Sequence, residues 1–170
     1  LLTHPKLLTV ISSAAYPYVN PERPGYVSRD QLLVSGVMAG EMVHVIVNHW
    51  PSRYGSKSSQ MREAAAAITK HIADSLYRAD LNAKIDIMGD LNDDPVDVST
   101  RVVLDAKRTR DEVKPGGLYN TMWQFYERGI GTLSYQGQWS LLDQRIVSHS
   151  LLGSDRSTLK LWKSELFNNE

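Results

Sequence analysis

Three observations predict a mixed α+β fold. Residues 42–48, Met-Val-His-Val-Ile-Val-Asn, are nearly apolar on both faces, as suits a central strand covered on two sides. Met61, Ala65, Ile68, Ile72 and Leu76 recur at helical spacing and predict an amphipathic helix. Residues 84–88, Lys-Ile-Asp-Ile-Met, then give a short strand, so strand, helix and strand form a βαβ-like unit.

The other elements follow in chain order. The opening, Leu-Leu-Thr-His-Pro-Lys, has one Lys and an early Pro5; it is a poor signal peptide and reads as an ordinary strand region. Pro17, Pro21, Pro24 and Gly25 make 16–25 a loop. Residues 29–38 are β-rich, and Ala39-Gly40 supplies a tight hairpin turn into 42–48. Residues 49–57 are polar and broken by Pro51 and Gly55, hence a loop. Ser58 or Ser59 caps the helix, which ends near Tyr77-Arg78. Residues 89–97, Gly-Asp-Leu-Asn-Asp-Asp-Pro-Val-Asp, form an acidic turn, and Asp97 or Ser99 caps a second, shorter helix through about Ala106. Residues 108–117 are charged and read as exposed, as does Asp86 on its strand. Residues 132–135 and 139–147 read as two strands joined at Gln136-Gly137.

Composition narrows the function. The chain has 170 residues, 42% hydrophobic, enough to bury roughly 70% of its unfolded surface. It is not a disordered chain. Nineteen Lys+Arg balance nineteen Asp+Glu, so there is no polyanion-binding footprint in the net charge. No apolar run approaches the ~20 residues of a membrane span. With no cysteine, thiolate metal sites, disulfides and thiol nucleophiles are excluded, and the compartment is left open.

Three patches carry candidate chemistry. In Gly89-Asp90-Leu91-Asn92-Asp93-Asp94 a strand leads directly into Gly-Asp-x-Asn. If the chain stays extended, Asp90 and Asn92 project to one side. There the carboxylate orients or deprotonates a water, and the amide holds a phosphate oxygen or a metal-bound ligand. The bland alternative is an Asx turn capping the next helix. A calcium EF-hand fails, because Pro95 stands at the glycine position and Arg101 at the closing glutamate position. In Asn48-His49-Trp50-Pro51-Ser52-Arg53, His49 offers a proton or hydrogen bond to a phosphate, and Arg53 a bidentate contact. The alternative is a backbone-satisfied His with Trp50 as a core plug. Asp143, in Trp-Ser-Leu-Leu-Asp-Gln-Arg-Ile-Val-Ser, interrupts an apolar strand. A buried carboxylate needs a partner, either a histidine it orients or a structural ion pair or backbone donor.

In this order the patches resemble the endonuclease/exonuclease/phosphatase superfamily of metal-dependent phosphoesterases. VNHWPSR resembles the segment bearing the family's phosphate-contacting His, IMGDLND its Gly-Asp-[Leu/Phe]-Asn signature, and LLDQRIVSHSLL the strand whose Asp supports a terminal catalytic His. MREAAAAITKHI resembles the helix between the first two motifs. The resemblance runs from about Arg29 to Leu152. It implies a four-layer sandwich of two stacked mixed sheets flanked by helices. It implies that His49 bonds the scissile phosphate or assists the leaving group, and that Asp90 positions the attacking water. Asn92 binds the phosphate, Asp143 holds the catalytic His, and Asn48, Trp50 and Arg53 contact substrate, with Tyr54 beside them. The implied cofactor is Mg²⁺, or Mn²⁺ or Ca²⁺, with Asp90 and Asn92 as a partial ligand set.

The resemblance also implies residues this sequence does not show. Asn20 and Glu22 lie in the proline-rich loop rather than in the place of the family's early Asn and metal-binding Glu. Ser154-Asp155-Arg156 has Arg where the family's closing Ser-Asp-His has His. Residues 1–170 are therefore expected to be the central and C-terminal portion of a single domain. The implied function is metal-dependent phosphoester hydrolysis, nuclease-like phosphodiesterase before phosphatase. The alternatives are a non-catalytic binding module of the same fold or an inactive fragment of the enzyme. The expected partner is a phosphoester substrate, nucleic acid among the candidates, with no obligate protein partner.

Overall fold

The computed structural model describes residues 4–53 and 58–166; Tyr54 lies outside them. Nine strands and two helices follow in the order β1 (Leu8–Tyr16), β2 (Gln31–Met38), β3 (Glu41–His49), α1 (Ser59–Ala79), β4 (Lys84–Asp90), β5 (Ala106–Lys107), β6 (Leu118–Asn120), α2 (Trp123–Glu127), β7 (Leu133–Tyr135), β8 (Gln138–Ser140) and β9 (Asp143–Ser148) among the described residues. Seven strands make one mixed sheet, β1-β2-β3-β4-β9-β6-β5, and β7 and β8 form a separate two-stranded hairpin. The α+β class is the one expected.

Both predicted hairpin turns form, for the same backbone reason. Ala39 and Gly40 have φ of 50° and 82°, and Gln136 and Gly137 have 50° and 78°. Two successive positive φ values are the type I′ signature, whose twist matches that of the flanking strands.

The sheet core follows the two-residue period of β3. Ile46 shares its face with Ile85, Ile87 and Ile146, and Ala65, Ala66, Ile72 and Ala73 of α1 pack on them. The parallel pairing of β3 with β4 sets His44 beside Ile85 and Ile46 beside Ile87, so α1 is the crossover that covers this face. The opposite face carries Val43, Val45, Asp86, Met88, Arg145 and Val147, partly covered by Leu8, Leu151, Leu159 and Leu161.

Several boundaries differ from the sequence expectation. Ser58 stands at the N-cap position of α1 without a side-chain cap bond. Arg62 of α1 is buried, and its Nε donates to Asp93 Oδ1 at 2.5 Å. The second helix shrinks to a single π-type turn, Ser99–Val103, because Asp105 takes a φ of 58° and turns the chain into β5. The strand expected over 139–147 breaks in two at Leu141-Leu142, where the Leu141 amide bonds Asp94 Oδ1 at 2.6 Å instead of a neighbouring strand. Asp86 is buried, not exposed. Arg145 donates to it through Nε at 3.0 Å and Nη2 at 2.6 Å. The Asp86 hydrogen bonds raise the Arg145 pKa against the opposing effect of burial.

Candidate active site at the ends of three strands

Three of the predicted site residues form one row. His49 closes β3 and stands in register with Asp90, which closes β4. Asp90 in turn stands opposite Asp143, which opens β9. Directly paired residues point to the same side of a sheet, and neighbouring strands lie about 4.8 Å apart. The row is therefore a line of imidazole, carboxylate and carboxylate across the ends of three central strands, on the face away from α1. His49 Nε2 lies 3.8 Å from Asp90 Oδ2, with the two side chains 45% and 35% exposed. Asp143 is exposed. A solvent-accessible imidazole beside a carboxylate can exchange protons with a bound phosphoester or water.

Gly89 brings β3 and β4 into this alignment. Its φ is 132°, and a Cβ there would meet the Asn48 carbonyl oxygen at 2.0 Å. Only glycine tolerates that approach. The pairing consequently continues past the expected strand end, and the Trp50 amide bonds the Asp90 carbonyl at 3.0 Å.

The chain does not stay extended from Asp90 to Asn92, so the expected route to their juxtaposition is replaced. Asp90 Oδ1 accepts the Asn92 backbone N–H at 2.9 Å, an Asx turn. Asn92 has a φ of 52°, a left-handed conformation that asparagine adopts more readily than most residues. It is buried, and its Nδ2 donates to the Trp50 carbonyl at 2.9 Å. The turn thus keeps Asn92 next to Asp90 but commits its amide nitrogen to bracing the two loops.

Three expected substrate contacts are corrected. Trp50 is 1% exposed and donates from Nε1 to Asn48 Oδ1 at 3.1 Å, so it is the core plug rather than a stacking platform. Asn48 falls on the α1 face by strand alternation, and its Nδ2 donates to the Ile46 carbonyl at 3.3 Å. Thr69 Oγ1 lies 3.0 Å from Asn48 Oδ1, which leaves Asn48 a structural residue. Arg53 binds carboxylates instead of a phosphate. Its Nε donates to the Asn92 carbonyl at 2.9 Å, and its Nη2 to Asp94 Oδ2 at 3.0 Å and Asp97 Oδ2 at 2.8 Å. Burial works to lower the Arg53 pKa, but Asp94, Asp97 and Asp93 outweigh it and hold the guanidinium charged.

Asp143 is not the buried acid expected from the sequence. The break at Leu141-Leu142 puts those two side chains inside and restarts the alternation with Asp143 in solvent. Its backbone N–H is held by Thr132 Oγ1 at 3.1 Å. The buried carboxylates are Asp86, paired as above, and Asp93. Burial raises the Asp93 pKa, against the Ser99 hydrogen bond and the Arg62 charge. Gln144 was missed from sequence; its Nε2 donates to the Asp93 carbonyl at 2.5 Å, and only an inward position in β9 marks it. Ser154-Asp155-Arg156 is a local turn: Asp155 accepts from the Ser157 amide and hydroxyl, and Arg156 lies over the Trp162 ring.

Among the described residues no group of three or more His, Asp or Glu side chains is gathered for a cation. What the row offers is two accessible carboxylates, Asp90 and Asp143. That fits a hard divalent ion which keeps waters and takes phosphate oxygens for its remaining positions. No helix among the described residues is long and apolar enough to cross a membrane.

Comparison with known proteins places the fold. Humanized D. rerio TDP2 carrying 14 mutations is similar at a TM-score of 0.60 and 14% identity, covering 88% of this chain and 55% of that one. D. rerio TDP2 complexed with single-strand DNA product is similar at 0.54 and 13%, covering 84% and 54%. The human Nocturnin catalytic domain with bound sulfate anion is similar at 0.55 and 12%, covering 84% and 49%. At such identities the likeness is one of fold, and the chain spans about half the length of these structures. No curated protein matches the chain. The family model described as Endonuclease/Exonuclease/phosphatase family matches residues 1–170. With a matching fold and a match along its whole length, the chain belongs to the endonuclease/exonuclease/phosphatase family.

Proposed function

We propose that this chain carries part of the active site of a divalent-metal-dependent phosphoesterase that acts on phosphodiesters, nucleic acid before lipid or inositol phosphate. The observation that carries the reading is the accessible row His49, Asp90, Asp143 across the ends of three adjoining strands. His49 hydrogen-bonds the scissile phosphate or protonates the leaving oxygen. Asp90, oriented by the Asn92 amide on its Oδ1, uses its other oxygen to position the attacking water. Asn92 sets the turn and lends its amide oxygen to the phosphate site, and Asp143 orients the imidazole that completes the family's set. Mg²⁺, or Mn²⁺ or Ca²⁺, held in part by Asp90, would neutralise phosphate charge during in-line displacement. Membership of the family supports hydrolysis as the reaction class, and the DNA-bound TDP2 neighbour supports a nucleic-acid substrate.

The test is hydrolysis of bis-p-nitrophenyl phosphate and of a short oligonucleotide by the protein that carries this chain, with Mg²⁺ or Mn²⁺ present. Asp90→Ala and His49→Ala should each lower turnover by roughly 10²–10⁴-fold, the range of a lost general acid or base. Unchanged turnover in Asp90→Ala removes the mechanism.

A further inference from the structure

Beside the row lies a cleft of about 530 Å³ lined by Ser52, Arg53, Asn92, Leu133, Tyr135, Gln138, Ser140 and Leu142. Its size falls in the range of small-molecule sites, roughly 300–1,000 Å³. One wall is the loop holding Arg53 and Asn92. The other is one face of the β7–β8 hairpin. Leu133 pairs with Ser140, and Tyr135 with Gln138, so these four side chains share a face, while Ser134 and Trp139 point the other way.

Three features make this a built site. First, Leu133 and Tyr135 are 51% and 70% exposed, large apolar groups left open on a hairpin too short to bury them. Second, the hairpin is anchored at its base. Thr132 Oγ1 takes the amides of Leu142 and Asp143, each at 3.1 Å, and a Cβ on Gly131 would meet the Ser140 carbonyl oxygen at 2.6 Å. Third, Asp94 clamps both walls, with Oδ2 on Arg53 and Oδ1 on the Leu141 amide.

The chemistry of the lining selects the ligand. Arg53 is the only cation lining the cleft among the described residues, and Asp94 and Asp97 already hold its guanidinium. An anionic group would gain little there. A neutral planar group with hydrogen-bonding edges would find an aromatic ring, a leucine and the polar ends of Ser52, Gln138 and Ser140. We propose that this cleft is a nucleobase subsite, in which Tyr135 stacks on the base next to the scissile phosphate held at the row. The proposal rests on the phosphodiester reading of the row and names its substrate as nucleic acid rather than a lipid or inositol phosphate.

The experiment is titration of the protein that carries this chain with tetrathymidylate and, separately, with 2-deoxyribose 5-phosphate. Leu133 methyl and Tyr135 ring resonances are followed. Tetrathymidylate should shift both, and the sugar phosphate should shift neither. Tyr135→Ala should weaken tetrathymidylate binding about tenfold, in the range of one lost base–aromatic stack, and Tyr135→Trp should restore it. Wild-type affinity in Tyr135→Ala overturns the subsite, as does equal response to the sugar phosphate, no response to tetrathymidylate, or failure of Trp to restore binding in a folded protein. Binding is read without turnover, so the two readings fail separately. Stacking without hydrolysis removes the catalytic row, and hydrolysis indifferent to Tyr135→Ala removes the cleft.

Discussion

Gly89 lies against the Asn48 peptide so closely that a Cβ at position 89 would stand 2.0 Å from the Asn48 carbonyl oxygen. This contact keeps β3 and β4 paired through their last residues and brings His49 alongside Asp90. Gly89→Ala should therefore cost about 2–4 kcal/mol, through steric overlap and an unfavourable φ. Urea titration should show a lower midpoint with an unchanged slope. Near-wild-type stability would mean that the strands separate without penalty.

The Asp86–Arg145 pair sits on the sheet face that α1 leaves uncovered. Asp86→Leu strands the guanidinium and should destabilise by about 1–3 kcal/mol, below the full buried-pair cost because Arg145 keeps solvent contact. Replacing both, Asp86→Leu with Arg145→Leu, should recover most of that loss. A double-mutant cycle by chemical denaturation measures the coupling.

Arg53 fastens the Asp90–Asn92 turn through the Asn92 carbonyl. Arg53→Met should cost only about 1 kcal/mol of stability, since the side chain is part-exposed. It should nevertheless broaden or shift the amide resonances of Leu91 and Asn92. Arg53→Lys should not restore them, because an ammonium cannot span the carbonyl and two carboxylates as the planar fork does.

His44 gives a pH dependence. Burial lowers its pKa below the ordinary histidine value, with Asp80 acting weakly in the opposite direction. The folded state then binds fewer protons than the unfolded state, so stability falls as pH drops from about 6.5 through the folded pKa. His44→Gln, which can keep a bond to the Ser35 hydroxyl now 2.8 Å from His44 Nδ1, should flatten the loss between pH 7.5 and 5. Thermal melts across that range decide it; identical slopes would place the titration elsewhere.

Much of the sheet was legible because its signals are local. The short β-branched apolar run of 42–48, the spacing from Met61 to Leu76 and the turns at Ala39-Gly40 and Gln136-Gly137 each point to one backbone state. The row was legible as residue types, and His49 and Asp90 fall where a strand was expected to end, whereas Asp143, expected within a strand, opens β9 instead. What did not show was which neighbour each polar group would choose. Arg53 met Asp94 and Asp97, Asn48 met Thr69, and Arg145 met Asp86 across 59 positions. Such long-range pairings decide whether a charge is spent on structure or left for a ligand. The short β5, β6 and α2 were missed for a related reason, since tertiary pairing rather than periodicity makes them.

The row draws its members from positions 49, 90 and 143, and no two of them are local to each other. β4 stands between β3 and β9 as their shared neighbour, so the constellation exists only once both flanks have zipped onto it. The row should then assemble late and cooperatively during refolding, and a nick that releases β9 should dismantle it while leaving the β3–α1–β4 unit standing.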